Sequence, residues 1–205
     1  ATLPFDAGIS IWNLAARRRR TLRGHGWEAW SIAFAKKKNR DARYLVSGGT
    51  DGAIKIWDWR NGELLKTFNR PDPSDLVGSL VAWFDSSVGA IWSIDISPDE
   101  QMVASGDSNG RINIWNIKEE KLIRTLTEHS PDLNIMSLAF SPDGKLLASA
   151  SYDNTVKIWN VATGECLDTL RHQNRVHCVA FSSDGKTLVS GSSDQTIKVW
   201  ERLGL

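Results

Sequence analysis

The stretch Asp153-Asn-Thr-Val-Lys-Ile-Trp159 decides the fold, because the chain repeats it in five versions that each end in tryptophan. The other versions are Asp6-Ala-Gly-Ile-Ser-Ile-Trp12, Asp51-Gly-Ala-Ile-Lys-Ile-Trp57, Asn109-Gly-Arg-Ile-Asn-Ile-Trp115 and Asp194-Gln-Thr-Ile-Lys-Val-Trp200. The final tryptophans lie 45, 58, 44 and 41 residues apart. A period of this length marks a repeat architecture, in which one unit cannot bury its apolar face alone. The functional question therefore concerns surfaces more than a single active site.

The composition limits the classes of protein to which the chain can belong. It has 25 basic and 24 acidic side chains and a net charge of +1, which does not predict a general nucleic-acid or membrane binder. The long apolar run that a transmembrane helix needs is absent. The two cysteines, Cys166 and Cys178, have no metal-ligand spacing. They suit a reducing compartment, so we expect a cytoplasmic protein.

The unit that starts at Asn134 contains four strand-like segments separated by turns. The segments are Ile135–Phe140, Leu146–Ser151, Thr155–Trp159 and Cys166–Leu170. The last two alternate polar and apolar residues, as half-buried strands do. Turn signals such as Ser141-Pro-Asp-Gly144 stand between the segments. Short strands at this spacing predict an all-β fold, and the repetition favours a propeller.

The same order of segments recurs elsewhere in the chain. The matching segments are Trp30–Phe34, Tyr44–Gly48 and Glu63–Phe68, then Ile91–Ile96, Met102–Gly106 and Lys121–Leu126, and finally Val176–Phe181, Leu188–Gly191 and Thr196–Trp200. We place the units near residues 1–22, 23–68, 89–126, 130–170 and 172–205, with an insertion at 69–88. One repeat region therefore accounts for the whole chain.

The chain resembles the WD-repeat (WD40) family of β-propellers. The resemblance rests on Gly24-His25, Ser141-Pro-Asp-Gly144, Leu147-Ala-Ser149 and Trp57-Asp58, which recur in phase over nearly the whole chain. It implies four-stranded antiparallel blades, with strands a to d running from the central channel to the rim and with the d–a and b–c loops on a top face. We expect four nearly complete blades plus an N-terminal remnant, arranged as an open arc. The close mutual similarity of the repeats is typical of a bacterial-type multi-repeat protein.

The resemblance also implies a buried polar network of His, Ser, Asp and Trp in three blades. These networks would be His25, Ser47, Asp51 and Trp57, then His129, Ser149, Asp153 and Trp159, and then His172, Ser190, Asp194 and Trp200. A Ser-His-Asp set also invites a catalytic-triad interpretation. Its recurrence in three blades favours hydrogen-bond satisfaction instead, and we expect no catalysis, cofactor or metal. The blade from Ile91 has Asn109 in place of the Asp and no His, so we expect it to be less strongly held.

Family members typically act as rigid scaffolds for protein–protein contact, so we expect a protein or peptide partner on the top face. The residues that vary between repeats at this face are the candidate contacts, since a binding surface varies on a common frame. They are Glu28, Trp30, Thr50, Trp92, Asn134, Met136, Tyr152, Arg175, His177 and Ser193, together with Trp83 and Phe84 of the insertion. The apolar residues of the insertion either cover the adjacent blade or dock a partner.

Two basic runs support an alternative function, which is binding of nucleic acid or another anionic partner. Arg17–Arg20 and Lys36–Arg40 are both assigned to turns on the bottom face, where they would form one basic patch if adjacent. The competing interpretation is that both are solvated turns. We expect no membrane partner. Open blade edges predict self-association, because unpaired strands template further pairing.

Overall fold

The computed structural model describes residues 8–34, 42–69 and 89–201, and within these ranges the regular structure consists of strands. The remnant contains β1 (Ile9–Asn13) and β2 (Arg18–Leu22). Blade 1 contains β3 (Ala29–Phe34), β4 (Leu45–Gly49), β5 (Ala53–Asp58) and β6 (Glu63–Asn69). Blade 2 contains β7 (Ile91–Ile96), β8 (Met102–Asp107), β9 (Ile112–Asn116) and β10 (Lys121–Leu126). Blade 3 contains β11 (Ile135–Phe140), β12 (Leu146–Ser151), β13 (Thr155–Asn160) and β14 (Cys166–Arg171), and blade 4 contains β15 (Val176–Phe181), β16 (Thr187–Ser192) and β17 (Ile197–Glu201).

Each sheet is an antiparallel meander in which neighbours in sequence are neighbours in space. Blades 1 to 3 have four strands, blade 4 has three and the remnant has two. Extensive contacts join each blade to the next one along the chain, and the outer face of blade 4 is exposed. The predicted all-β fold, with propeller blades in an open arc, is thereby confirmed.

A β-branched residue in the first strand of one blade packs against a small residue in the second strand of the preceding blade. Ile135 packs against Gly106 so closely that a Cβ added there would lie 2.5 Å from the Ile135 Cγ2 atom. Ile91 packs in the same way against Gly48. At the next junction the pair is Ala150 and Val176, both of which are fully buried. Small residues in the second strands thus allow the close approach of the next blade.

Hydrogen bonds between the inner strands also hold successive blades in register. The Ser31 hydroxyl of β3 accepts a bond from the backbone N–H of Ile94 in β7, over 3.1 Å. The Ser137 hydroxyl of β11 accepts from the N–H of Val179 in β15, over 3.3 Å. Burial of the apolar faces is not directional, so these hydrogen bonds fix the position of one blade relative to the next.

On the bottom face, basic residues of the outermost strand reach the turn of the following blade. The Arg124 guanidinium donates to the carbonyl oxygen of Ala162, over 2.7 Å, and to that of Thr163. Lys66 donates in the same way to the Ile117 carbonyl, over 2.9 Å. These side chains donate hydrogen bonds to turn carbonyls, and they thereby connect the outer edges of adjacent blades.

The position expected for the first basic run is corrected by the strand bounds. Arg17, with φ of 49°, ends the β1–β2 turn, whereas the other three arginines belong to β2. Arg19 stacks over the Trp12 ring at 5.8 Å, and Arg20 donates to the carbonyl of Arg60 in blade 1. The side chains of Arg19 and Arg20 therefore make contacts with other residues of the fold. The residues Lys36–Arg40 lie outside the described residues, so the joint basic patch stays a prediction.

The outer face of blade 4 leaves apolar side chains exposed that the inner blades bury. Ile197 and Val199 of β17 are 79% and 58% exposed. The equivalent residues of β13, Val156 and Ile158, are both 0% exposed because blade 4 covers them. The outer face of blade 4 thus has the apolar side chains of a buried face, although none of the described residues covers it.

Candidate functional site

A chain of hydrogen bonds crosses blade 3 from its middle to its top edge. The Trp159 indole N–H donates to the Ser149 hydroxyl over 2.8 Å, and this oxygen lies 2.7 Å from Nε2 of His129. Nδ1 of His129 lies 2.7 Å from the Asp153 carboxylate. A neutral imidazole protonated on Nδ1 donates to the carboxylate and accepts from the serine, so that every group has a partner.

Blades 1 and 4 contain the same arrangement. In blade 1, the indole–hydroxyl, hydroxyl–imidazole and imidazole–carboxylate distances among Trp57, Ser47, His25 and Asp51 are 2.8, 2.7 and 3.0 Å. In blade 4, the corresponding distances among Trp200, Ser190, His172 and Asp194 are 2.9, 2.8 and 2.9 Å. The structure therefore brings together the residues of all three networks.

The aspartates of these networks connect two top-face segments in each blade. Asp153 accepts from the backbone N–H groups of Ser130, over 3.1 Å, and Thr155, over 2.9 Å. Burial alone would raise the pKa of Asp153, but hydrogen bonds from His129, Thr155 and Ser130 outweigh it and hold the pKa well below its usual range. In blade 4 the Thr196 hydroxyl is the main cause of the lowered pKa of Asp194. Both carboxylates are thus ionised, and each holds two top-face segments together through hydrogen bonds.

The serines of the networks are closed to substrates in this conformation. Ser47 and Ser149 are 0% exposed, and Ser190 is 2% exposed. Each hydroxyl already accepts an indole N–H and faces an imidazole. A nucleophile needs an open approach for its substrate, which these groups lack. The geometry therefore favours the structural interpretation of the Ser-His-Asp sets.

Blade 2 caps its top turn with a different carboxylate. Asp107, at the end of β8, accepts from the N–H groups of Asn109, over 2.8 Å, and Arg111, over 3.0 Å. The Trp115 indole N–H is buried without a hydrogen-bond partner. Sequence analysis missed Asp107, although its place two residues before Asn109 was a readable signal for a turn cap. That blade 2 is held less strongly than the blades with a complete polar network stays a prediction.

The candidate partner-binding residues of the described ranges lie on the top face, which we define as the end of the blades that holds the b–c turns and the d–a connections. Backbone bonds join the two variable columns in every blade. These bonds run from the N–H of Thr50 to the oxygen of Glu28, from Ser108 to Ala90, from Tyr152 to Asn134 and from Ser193 to Arg175, over 2.9, 3.1, 3.1 and 2.8 Å. The frame of the face is therefore regular while its side chains differ.

Two tryptophans form an aromatic pair on the side of blades 1 and 2. The rings of Trp30 and Trp92 lie 4.9 Å apart at 33°. Trp30 is 49% exposed, and Trp92 is half-buried. The indole N–H of Trp92 is buried and has no hydrogen-bond partner. The pair thus presents a large, rigid apolar surface.

A polar cluster lies on the side of blades 3 and 4. The Arg175 guanidinium stacks over the Tyr152 ring at 4.9 Å. The His177 ring meets the same ring edge-on at 5.4 Å, and its Nε2 lies 2.6 Å from the Ser193 hydroxyl. Met136 occupies the column between the tryptophan pair and this cluster. Trp83 and Phe84 lie outside the described residues, so their two interpretations stay predictions.

Metal binding and membrane insertion are two further possibilities for the described ranges. No group of three or more His, Cys, Asp or Glu residues there has the arrangement of a metal site. No helix in the same ranges is long and apolar enough to span a membrane.

The family model described as "WD domain, G-beta repeat" matches residues 16–58, 76–116, 120–160 and 164–201. The first, third and fourth matches each contain the last strand of one sheet and three strands of the next, as 120–160 does with β10 to β13. The sequence repeat and the blade are therefore out of phase by one strand.

Curated relatives of the chain are fungal proteins named "Eukaryotic translation initiation factor 3 subunit I". The protein of Neurospora crassa is 34% identical over 89 residues, which is 43% of this chain and 21% of the relative. The Aspergillus niger protein is 31% identical over half of this chain and 25% of the relative, and the Scheffersomyces stipitis protein is 32% identical over 46% and 23%. The matched region is thus about a quarter of each relative's length. The bacterial-type origin stays a prediction.

Proposed function

Since the chain belongs to the WD40 repeat family, we propose that it is a scaffold that binds a protein or peptide partner on its top face. The observation that carries this proposal is the Trp30–Trp92 pair, whose rings stack 4.9 Å apart with Trp30 about half exposed. Tryptophan is enriched among the residues that dominate binding energy at protein interfaces. A pair held on rigid strands loses little conformational freedom on binding.

The regular frame beneath the pair supports the same proposal. The three polar networks and the backbone bonds at the top hold the loops in place, so that the surface is organised before a partner arrives. The serine hydroxyls of the networks are buried and closed to substrates, so we propose no catalysis.

The relatives suggest a setting for this scaffold. They carry the name of a subunit of a translation initiation factor, so we propose that this chain is a protein-binding part of a multi-protein assembly in the cytoplasm. Each blade would then add contact surface without chemistry of its own.

The test is a pull-down from cells that express the protein, with bound proteins quantified by mass spectrometry. The variant with both Trp30→Ala and Trp92→Ala should lose a partner that the wild type retains. Glu119→Ala is the matched control, because Glu119 is exposed in a bottom-face turn. Circular dichroism and thermal unfolding verify that the variants fold. A folded double variant that retains every partner of the wild type would contradict the top-face proposal.

A further inference from the structure

We infer that the cluster of Tyr152, Arg175, His177 and Ser193 recognises a carboxylate of an acidic peptide segment. The inference rests on the proposed function, since it names the chemistry that one part of the same top face recognises. It would give the partner a fixed direction on the face, with an apolar residue at the tryptophan pair and an acidic residue at this cluster.

Arg175 is oriented before any partner binds. Its guanidinium lies 4.9 Å from the centre of the Tyr152 ring. Its backbone N–H donates to the Asn174 side chain over 2.8 Å, and its carbonyl accepts from the Ser193 N–H over 2.8 Å. Stacking uses the flat face of the guanidinium and leaves its N–H edge available for a bidentate carboxylate. The arrangement reduces the entropy lost when such a bond forms.

The charge of Arg175 is not neutralised inside the described part of the chain. No carboxylate there lies within salt-bridge distance of its guanidinium. Asp153 and Asp194, which follow Tyr152 and Ser193 in sequence, are paired with histidines at 2.7 and 2.9 Å. Their oxygens are therefore committed to the polar networks.

His177 and Ser193 add one donor to the cluster, because one of their two hydrogens is used in the bond between them. Nε2 of His177 lies 2.6 Å from the Ser193 hydroxyl. The imidazole ring is edge-on to Tyr152, at 80°, so that Tyr152 contacts both Arg175 and His177. Imidazole and hydroxyl groups both donate to anions. A carboxylate at the guanidinium edge would thus meet several donors held by one aromatic ring.

An acidic peptide fits this cluster better than a nucleic acid does. Nucleic-acid affinity comes from several phosphate contacts along a basic track. Here the cluster contains one arginine, and the face also holds the ionised carboxylates Asp153 and Asp194, whose pKa values are lowered. Repeated phosphates would be repelled there, whereas one carboxylate needs one guanidinium. The apolar surface of Trp30 and Trp92 on the same face also suits a peptide side chain.

The experiment selects short randomised peptides for binding to the full chain. Selected sequences should be enriched in Asp and Glu. Binding of a selected acidic peptide should fall at least about tenfold in Arg175→Gln, since a charge-assisted bidentate bond is lost. Arg175→Lys should weaken it as well, because lysine lacks the fork. The matched control is Arg111→Gln, which removes the same charge from the b–c turn of blade 2 and should change affinity less than about twofold.

Four results would overturn the inference, and the last of them would also contradict the proposed function. The first is selected peptides that lack acidic residues and depend on Trp30 and Trp92 but not on Arg175, which would leave the proposed function standing. The second is equal losses in Arg175→Gln and Arg111→Gln, which would reduce the effect to net charge. The third is Arg175-dependent binding of single-stranded DNA that is tighter than that of any selected peptide. A selection without any peptide that depends on the top-face residues would contradict the proposed function as well.

Discussion

At the residue scale, Asp153 is the side chain on which most top-face hydrogen bonds of blade 3 converge. It accepts from the His129 ring, the Ser130 N–H and both the N–H and the hydroxyl of Thr155. Asp153→Ala should therefore lower the free energy of unfolding by about 1–3 kcal/mol or more, since several buried donors lose their acceptor. Urea unfolding monitored by tryptophan fluorescence measures this.

Asn109→Ala is the control for that prediction. Asn109 occupies the same repeat position in blade 2, but its side chain makes only a 3.4 Å contact with the Ser108 hydroxyl. We expect a change within about 0.5 kcal/mol, as for other substitutions away from a buried network. Equal losses for Asp153→Ala and Asn109→Ala would show that the network does not carry the stability assigned to it.

The lowered pKa of Asp153 also predicts how stability depends on pH. The unfolded carboxyl has a pKa of about 3.9, whereas the folded one remains ionised at lower pH. Its contribution is therefore fully present above about pH 4 and is lost as the pH falls through the folded pKa. The urea midpoints of wild type and Asp153→Asn should differ at pH 7, and they should differ by less at pH 3, below the pKa of the unfolded carboxyl. A difference that stays constant over this range would refute the linkage.

At the scale of the strand, the contact between Gly106 and Ile135 leaves no room for a methyl group. Gly106→Ala should cost about 1–3 kcal/mol through overpacking, because the new Cβ would lie 2.5 Å from both the Ile135 side chain and the Ser93 hydroxyl. Ile135→Ala removes the Cγ2 atom that the new Cβ would meet, so it should cost less in the Gly106→Ala background than in the wild type. The relief is partial because the contacts with the Ser93 hydroxyl and with the Ile135 Cβ atom remain.

A double-mutant cycle on thermal or urea unfolding measures that coupling. Gly26→Ala provides the control, since a Cβ at Gly26 would meet nothing within 4 Å. Because contacting residues couple and distant ones add, we expect non-additivity for Gly106→Ala with Ile135→Ala and additivity for Gly26→Ala with Ile135→Ala. Additive losses in the first pair would remove the size-complementarity argument.

The strands of blades 2 and 3 were predictable because their side chains alternate within a few residues. The predicted segments Ile91–Ile96, Lys121–Leu126 and Ile135–Phe140 coincide with β7, β10 and β11. The contacts between blades were not predictable in this way. Arg124 reaches the backbone carbonyls of Ala162 and Thr163, and a carbonyl oxygen leaves no trace in the amino-acid sequence. Local pattern therefore predicts strands well and the joints between blades poorly.

At the scale of the whole molecule, the exposed face of blade 4 predicts self-association of this chain. Ile197 and Val199 are 79% and 58% exposed, and large contiguous apolar patches favour contact with another surface. The weight-average mass from sedimentation should rise with concentration, and Ile197→Lys should suppress the rise. Leu65→Lys, at a 44% exposed position in β6, is the control that should leave association unchanged. A wild-type chain that stays monomeric at high micromolar concentration would contradict this prediction.

The one-strand offset between sequence repeat and blade has a consequence for how such a chain can lengthen. A genetic duplication of residues 120–160 would bring one strand that completes an existing sheet and three strands that begin a new one. The sheet left with three strands would in turn be completed by the next copy. The array could therefore grow by tandem copying without any intermediate that has a surplus strand. Each new copy would be tied into its predecessor by a full strand ladder rather than by loose contact of two finished units.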